Sequence, residues 1–211
     1  KGTVFLANPN APTGIALPVS EIERLVASDP DRVVVIDEAY VDFGGESAVG
    51  LTKKYDNILV CQTFSKSRSF AGGRLGYGIG SEALISDLNT VKYSTNPYNI
   101  NSMTSAMGIG ILKDGEYTAA NCRTIMENRD YTVKALETMG FRVLPSSANF
   151  IFVSSDKIDG GEYYRKLKEK KILVRHFDKP RISSWCRVSI GRIDQMEAFL
   201  KATEEILKEK V

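Results

Sequence analysis

Thr63-Phe64-Ser65-Lys66-Ser67-Arg68-Ser69-Phe70-Ala71-Gly72-Gly73-Arg74-Leu75-Gly76-Tyr77 is the stretch around which this chain is organised. It follows the apolar run Ile58-Leu59-Val60-Cys61, which reads as a buried strand. Hydroxyl residues flank one lysine, a second cation lies eight positions on, and the glycines between them let backbone approach a ligand closely. The pattern is that of a binding loop with a nucleophile in it. The plain alternative is a solvated basic turn.

The segments around this loop repeat one theme. Val4-Phe5-Leu6-Ala7 is a short apolar strand running into Asn8-Pro9-Asn10-Ala11-Pro12-Thr13-Gly14, whose Asn, Pro and Gly demand a turn. A helix is expected from Ser20 to Ala27, with Ser20 as N-cap and Glu23 completing a capping box. Arg32-Val33-Val34-Val35-Ile36 is continuous and β-branched, as in a parallel strand covered on both faces, and Asp37-Glu38-Ala39-Tyr40-Val41-Asp42-Phe43 follows its carboxyl end. A short helix near 47–55 precedes the strand at 58–62. Three successive strands thus end in loops that carry reactive or hydrogen-bonding groups, where open α/β sheets bind ligands.

Leu75 to Gly80 follows the lysine loop too closely for a helical crossover, so it is expected to return antiparallel. Helices are expected at 81–93, capped by Ser81, at 101–112, and at 116–139, the last ending at Gly140 as a C′ glycine. Short strands then surround a helix: 141–144, 149–153, helix 161–170, 172–175 and 187–190, with a closing helix at 195–208. The charge run Lys166 to Lys171 reads as a solvated helix face. The division expected is an α/β unit over residues 1–112 and a smaller α/β domain over 113–211, joined by the long helix.

At 211 residues the chain can bury a sizeable core. Its 28 basic and 26 acidic residues leave a net charge of only +2, which gives no polyanion footprint and points to small molecules rather than nucleic acid or an anionic membrane. No apolar run reaches membrane-spanning length and no leader pattern is present, so a cytoplasmic location is expected. Cys61, Cys122 and Cys186 are scattered and lack metal-ligand spacing, which favours free thiols and no metal site.

A lysine amine can form an imine with a carbonyl cofactor and act as a base once released. A carboxylate buried at a strand end can keep a pyridine nitrogen protonated, and Asp37 is placed for that. A tyrosine three residues on can bond a phenolic oxygen, and Thr63 and Arg74 can hold a phosphate. Each residue also has a plainer reading. Asp37 could cap the turn after its strand, Tyr40 could be a half-buried core aromatic, and Arg175 and Arg187 could be surface cations. His176, the sole histidine, reads as packed or solvated.

In order along the chain, Asn-Pro-Asn-Ala-Pro-Thr-Gly, Asp-Glu-Ala-Tyr, and Thr-Phe-Ser-Lys with Arg eight residues later resemble the fold type I pyridoxal-phosphate aminotransferases. Within that superfamily, Ile172-Leu173-Val174-Arg175-His176-Phe177 and Cys186-Arg187-Val188-Ser189-Ile190-Gly191 are similar to the histidinol-phosphate aminotransferases. The resemblance implies pyridoxal 5′-phosphate as cofactor, with Lys66 as its covalent tether and as the proton carrier between substrate Cα and cofactor C4′. It implies Asp37 on the pyridine nitrogen, Tyr40 on the ring hydroxyl, and Thr63 and Arg74 on the phosphate. Arg187 would clamp a carboxylate and Arg175 a substrate phosphate, anions that suit planar bidentate donors. The residue before Pro-Thr-Gly, ordinarily an asparagine on the ring hydroxyl, is Ala11 here, with Asn10 adjacent as a possible substitute.

The implied reaction exchanges histidinol phosphate and 2-oxoglutarate for imidazole-acetol phosphate and glutamate, a small-molecule amino donor and a 2-oxo acid, in histidine biosynthesis. The resemblance also implies a homodimer for the complete protein. The chain opens at Lys1-Gly2-Thr3 without an initiator methionine and is expected to lack the front of the fold. Missing with it would be an upstream phosphate-binding glycine turn, an aromatic that stacks on the pyridine, and an arm to a partner's cofactor. Weak cofactor binding follows as an expectation, and an inert fragment with exposed sheet edges is the alternative of a different class. A threonine-phosphate decarboxylase-like lyase and a broad-specificity aromatic aminotransferase share the same cofactor residues. The resemblance further implies that residues 1–112 are the later part of a large cofactor-binding domain of mostly parallel sheet with one antiparallel strand, its four strands side by side in the family order 77–80, 58–62, 33–37, 3–7.

Overall fold

The computed structural model describes residues 2–209. Contacts divide the chain into two units, one of residues 1–10 and 16–121 and the other of residues 11–15 and 122–211. The opening residue, Lys1, lies outside the described residues.

The first unit is built on a four-stranded sheet. Strands β1 (Val4–Ala7), β2 (Val34–Asp37) and β3 (Ile58–Thr63) run parallel, and β4 (Gly76–Gly80) pairs antiparallel with β3. Their order, β1-β2-β3-β4, is the one the family resemblance implied, with the one antiparallel strand where the short return required it. Side chains alternate across the pleat. Val34, Ile36, Ile58 and Val60 meet Ile22 and Val26 of helix α1 (Val19–Ala27) and Leu51 of the 3₁₀ turn Ala48–Lys53. On the opposite face Phe5, Val35, Leu59 and Cys61 line an apolar hollow bordered by Leu84 and Leu88 of α2 (Glu82–Thr95). Gly76 is required by the pairing, since a Cβ there would sit 2.9 Å from the Gln62 carbonyl oxygen.

Helix α1 starts one residue before the expected point, and its cap differs. Pro18 is the N-cap, its carbonyl accepting from the Glu21 amide at 3.0 Å, so Ser20 caps nothing. Proline fixes an extended entry that fits the residue before a helix, and Glu23 instead accepts from Lys54 Nζ and Tyr55 Oη, both at 3.2 Å. Ser81 does cap α2, and Asn101 caps α3 (Ser102–Lys113), accepting from the Thr104 amide at 2.8 Å. Helix α4 spans Gly115–Thr138, and Gly140 beyond it is left-handed at φ +88°.

The second unit has its own antiparallel sheet, ordered β5-β6-β8-β7, from β5 (Phe141–Val143), β6 (Phe150–Ser155), β7 (Arg175–His176) and β8 (Cys186–Ser189). Helices α5 (Gly160–Glu169) and α6 (Ile193–Lys208) pack on one face through Tyr163, Leu167, Phe199 and Ile206. The buried Tyr163 hydroxyl shares a 2.8 Å hydrogen bond with Thr203. The strand expected at 172–175 pairs only at Arg175–His176, because Lys171 turns left-handed and the Ile172 amide is spent on the Leu167 carbonyl after α5. Residues 11–15 belong with this unit, tied by the Ser147 amide to the Gly14 carbonyl at 2.9 Å.

One buried polar contact fixes the end of β2. Glu38, 2% exposed, accepts from the Ser47 hydroxyl (2.7 Å), the Ala48 amide (2.6 Å) and Gln62 Nε2 (2.8 Å). Glu38→Ala leaves these donors unpartnered and is expected to cost about 3 kcal/mol. The check is a urea unfolding series followed by circular dichroism. An unchanged midpoint would mean the three bonds carry no net stability.

Candidate active site

The lysine loop is shaped by its own ends. Phe64, buried at the end of β3, donates its amide to the Leu75 carbonyl (3.0 Å) and receives the Phe70 amide on its carbonyl (2.9 Å), so the loop closes on itself. Thr63 Oγ1 accepts from the Ser65 amide at 3.1 Å and contacts the Leu75 carbonyl at 3.4 Å. Ser69 and Arg74 are left-handed, at φ 51° and 52°, which turns the chain sharply on either side of the glycines. Lys66 is thereby left exposed at the outside of the loop, with Nζ 5.4 Å from the centroid of the Tyr40 ring. Arg74 is exposed and directs Nη1 to the Ala71 carbonyl at 2.9 Å.

Asp37 is where the expectation needs correction. A buried carboxylate was expected at the strand end, and Asp37 is exposed while its neighbour Glu38 is buried. Strand alternation is the reason: Glu38 continues the core-facing series Val34, Ile36, and Asp37 continues the series of Val35 on the other face. Asp37 Oδ1 accepts from the Ala39 amide at 3.0 Å, which is the turn-capping role, and Oδ2 accepts no hydrogen bond among the described residues. Asp37 lies in register with Ala7 on one side and Cys61 on the other. Burial pushes the Cys61 thiol up, and the Asp37 charge adds to the shift.

The next turn, Tyr40 to Asp42, comes back to the lysine loop. The Ser67 hydroxyl and Arg68 Nη1 both donate to Asp42 Oδ2, the latter at 3.0 Å. Gln62 links Glu38 to Tyr77, accepting from its hydroxyl at 2.6 Å. The sequence reading passed over Glu38, Asp42, Gln62, Ser67 and Arg68. For Glu38 a signal existed, since period-two alternation places it on the face of Ile36. For Asp42 none did, because its partners lie 25 and 26 residues away.

At the turn after β1, Asn8 is the buried asparagine. Its side chain bridges both backbone groups of Leu17, at 2.7 and 3.1 Å. Asn10 is half-buried in the first unit, and Ala11 groups with the second.

In the second unit Arg175 and Arg187 are directly opposite each other on β7 and β8, so their side chains leave the same face of the sheet. Each guanidinium lies by a phenylalanine, Arg187 at 5.0 Å from the Phe150 centroid and Arg175 at 5.5 Å from that of Phe177. Neither is ion-paired among the described residues, and the buried Arg187 Nε has no hydrogen-bond partner there. His176 is packed, its Nε2 2.6 Å from the Ser183 carbonyl and its ring stacked 6.0 Å from Tyr164. The three cysteines are free thiols, and no helix is long and apolar enough to cross a membrane among the described residues.

The sequence pattern of the family described as aminotransferase class I and II matches residues 1–202. The histidinol-phosphate aminotransferase of Clostridium botulinum (strain Okra / Type B1) is 43% identical over 207 residues, which are 98% of this chain and 58% of that protein. That of Acinetobacter baumannii (strain ATCC 17978) is 48% identical over 204 residues, 97% of this chain and 56% of its own length. This chain therefore spans a little over half the length of these relatives. Among solved structures, the histidinol-phosphate aminotransferase of Clostridium acetobutylicum superposes with a TM-score of 0.90 at 27% identity, covering 98% of this chain and 64% of the other.

The juxtaposition of Asp37 and Cys61 can be read chemically. Asp37→Asn removes a negative charge beside the thiol, lowers its pKa, and at pH 8 is expected to speed alkylation of Cys61 about two- to threefold. Peptide mapping after limited iodoacetamide treatment, with buried Cys122 as reference, measures the ratio. An unchanged ratio would mean that Asp37 and Cys61 do not share a field.

Proposed function

The chain belongs to the aminotransferase class I and II family, and from that premise we propose that it carries the pyridoxal-phosphate site of an enzyme transferring an amino group between histidinol phosphate and 2-oxoglutarate. Members of this family depend on pyridoxal phosphate in general. The observation that carries the reading is the exposed Lys66 amine over the Tyr40 ring, three residues beyond the exposed strand-end carboxylate of Asp37.

The residues fit the group in kind. An aldehyde needs a primary amine, and Lys66 offers one free of any ion pair among the described residues. A pyridine nitrogen needs an acid to hold its proton, and Asp37 Oδ2 accepts no hydrogen bond among the described residues. Thr63 and Arg74 border the same loop and offer a hydroxyl and an exposed guanidinium for the phosphate. Tyr40 would meet the ring hydroxyl, with Asn10 as the asparagine nearest the position Ala11 leaves vacant. When bound, the cofactor supplies an electron-withdrawing ring that accepts negative charge from the substrate Cα. Lys66 would hold the cofactor and would carry the proton between the substrate Cα and C4′, and Asp37 would keep the ring nitrogen protonated.

Arg175 and Arg187 complete the reading. Like charges directly opposite on neighbouring strands oppose sheet pairing, and an anion between or above them relieves that cost. Arg187 would hold the substrate carboxylate and Arg175 a phosphate, with Phe150 and Phe177 limiting where each guanidinium can point. The names of the relatives at 43–48% identity support histidinol phosphate as the amine.

Incubation with pyridoxal phosphate followed by borohydride is expected to place the label on Lys66, and Lys66→Ala to remove most of it. Label scattered over the surface lysines and indifferent to Lys66→Ala would contradict the assignment. Glutamate formed from 2-oxoglutarate with histidinol phosphate, and not with phenylalanine, tests the substrate.

A further inference from the structure

We propose that Asp42 is a positioning residue for Lys66. By holding Ser67 and Arg68 on a single carboxyl oxygen, it fixes the lysine loop against the turn that carries Tyr40. That Lys66 is the cofactor tether rests on the function proposed above; the placement of its amine over Tyr40 by Asp42 does not.

Three features make Asp42 a fixed point. It is the middle residue of the 3₁₀ turn Val41–Phe43, and both neighbours are buried, so the turn is pinned to the core on either side of it. Ser67, directly after Lys66, is 4% exposed, and its hydroxyl donates to Asp42 Oδ2. Arg68 donates to the same oxygen at 3.0 Å with its side chain only 15% exposed, and its guanidinium lies 5.4 Å from the centroid of Phe64. A charged pair partly withdrawn from water holds its geometry better than a surface pair.

The consequence is local. Ser67 is one residue from Lys66, and Tyr40 is two residues from Asp42, so the Asp42–Ser67 bond links the backbones that carry the amine and the ring. The Ser69 amide donates to the Lys66 carbonyl at 3.1 Å, and Ser69 is left-handed. Beyond Arg68 the chain turns, and Ser67 and Arg68 are the side chains that donate to Asp42 among the described residues. Without Asp42, the loop keeps its closure at Phe64 and Leu75 but loses the tie at its lysine-bearing tip.

The test needs no cofactor. Lysines are reductively methylated with ¹³C-formaldehyde, and the Lys66 methyl resonance is assigned by its loss in Lys66→Arg. In the unsubstituted chain it is expected to be shifted by the Tyr40 ring current, and the shift to vanish in Tyr40→Leu. Asp42→Ala, or Ser67→Ala if the former does not fold, should move it to the position of a free lysine, whereas Asp42→Asn, which keeps an acceptor oxygen, should retain most of the shift. A resonance that is not ring-shifted, or one unmoved in Asp42→Ala and Ser67→Ala, overturns the proposal; loss of stability alone would not reproduce the Asp42→Asn rescue. Pyridoxal-phosphate trapping then separates the two readings. A roughly tenfold fall in Lys66 label relative to exposed Lys53 in Asp42→Ala agrees with both. An Asp42-dependent resonance without Lys66 labelling leaves the positioning intact and removes the proposed function.

Discussion

The first unit depends on keeping one acidic side chain inside and its neighbour outside. Glu38 is buried under three donors from two other segments, Ser47 and Ala48 on one side and Gln62 at the end of β3 on the other. A buried carboxyl group is tolerated only when so fully hydrogen-bonded. Meeting that demand locks the end of β2 to the end of β3 and commits the pleat. Asp37 must then face away from the core, beside Cys61, and the turn that follows must deliver Tyr40 and Asp42 towards the lysine loop.

Exposure and burial are thus divided between neighbouring residues. Asp37, Lys66 and Arg74 are exposed, whereas Glu38, Phe64 and Ser67, each next to or near one of them, are buried. The second unit follows the same rule with different chemistry. Val188 and Ile190 pack inward along β8 and beyond it, and Arg187 leaves the opposite face opposite Arg175. Cys186 and Tyr163 sit within that core, where burial pushes the Cys186 thiol up to about 12 and also raises the Tyr163 phenol, so neither group is poised to react.

Much of this was legible in the chain. The β-branched run at 33–36, the antiparallel return after the lysine loop and the cap at Ser81 rest on local rules, whereas the order of the sheet came from the family resemblance. The failures share a cause as well. Ser20 satisfies the capping pattern, but Pro18 reaches the free amides first and Glu23 is drawn to Lys54 and Tyr55, over thirty residues away. The strand at 172–175 is shortened by the helix end that precedes it. Asp42 and Gln62 make only distant contacts, which no periodicity encodes. The burial of Glu38 rather than Asp37 was within reach of alternation alone.

The proposed function rests on the amine of Lys66 and the carboxylate of Asp37 serving one ring. A crystal of the chain soaked with pyridoxal phosphate tests it most directly. Density continuous with Lys66 Nζ, with the ring nitrogen turned to Asp37 and the phosphate at Thr63 and Arg74, is the predicted result. Pyridoxal phosphate bound to another lysine, or joined to Lys66 with its ring turned away from Asp37, would contradict the account.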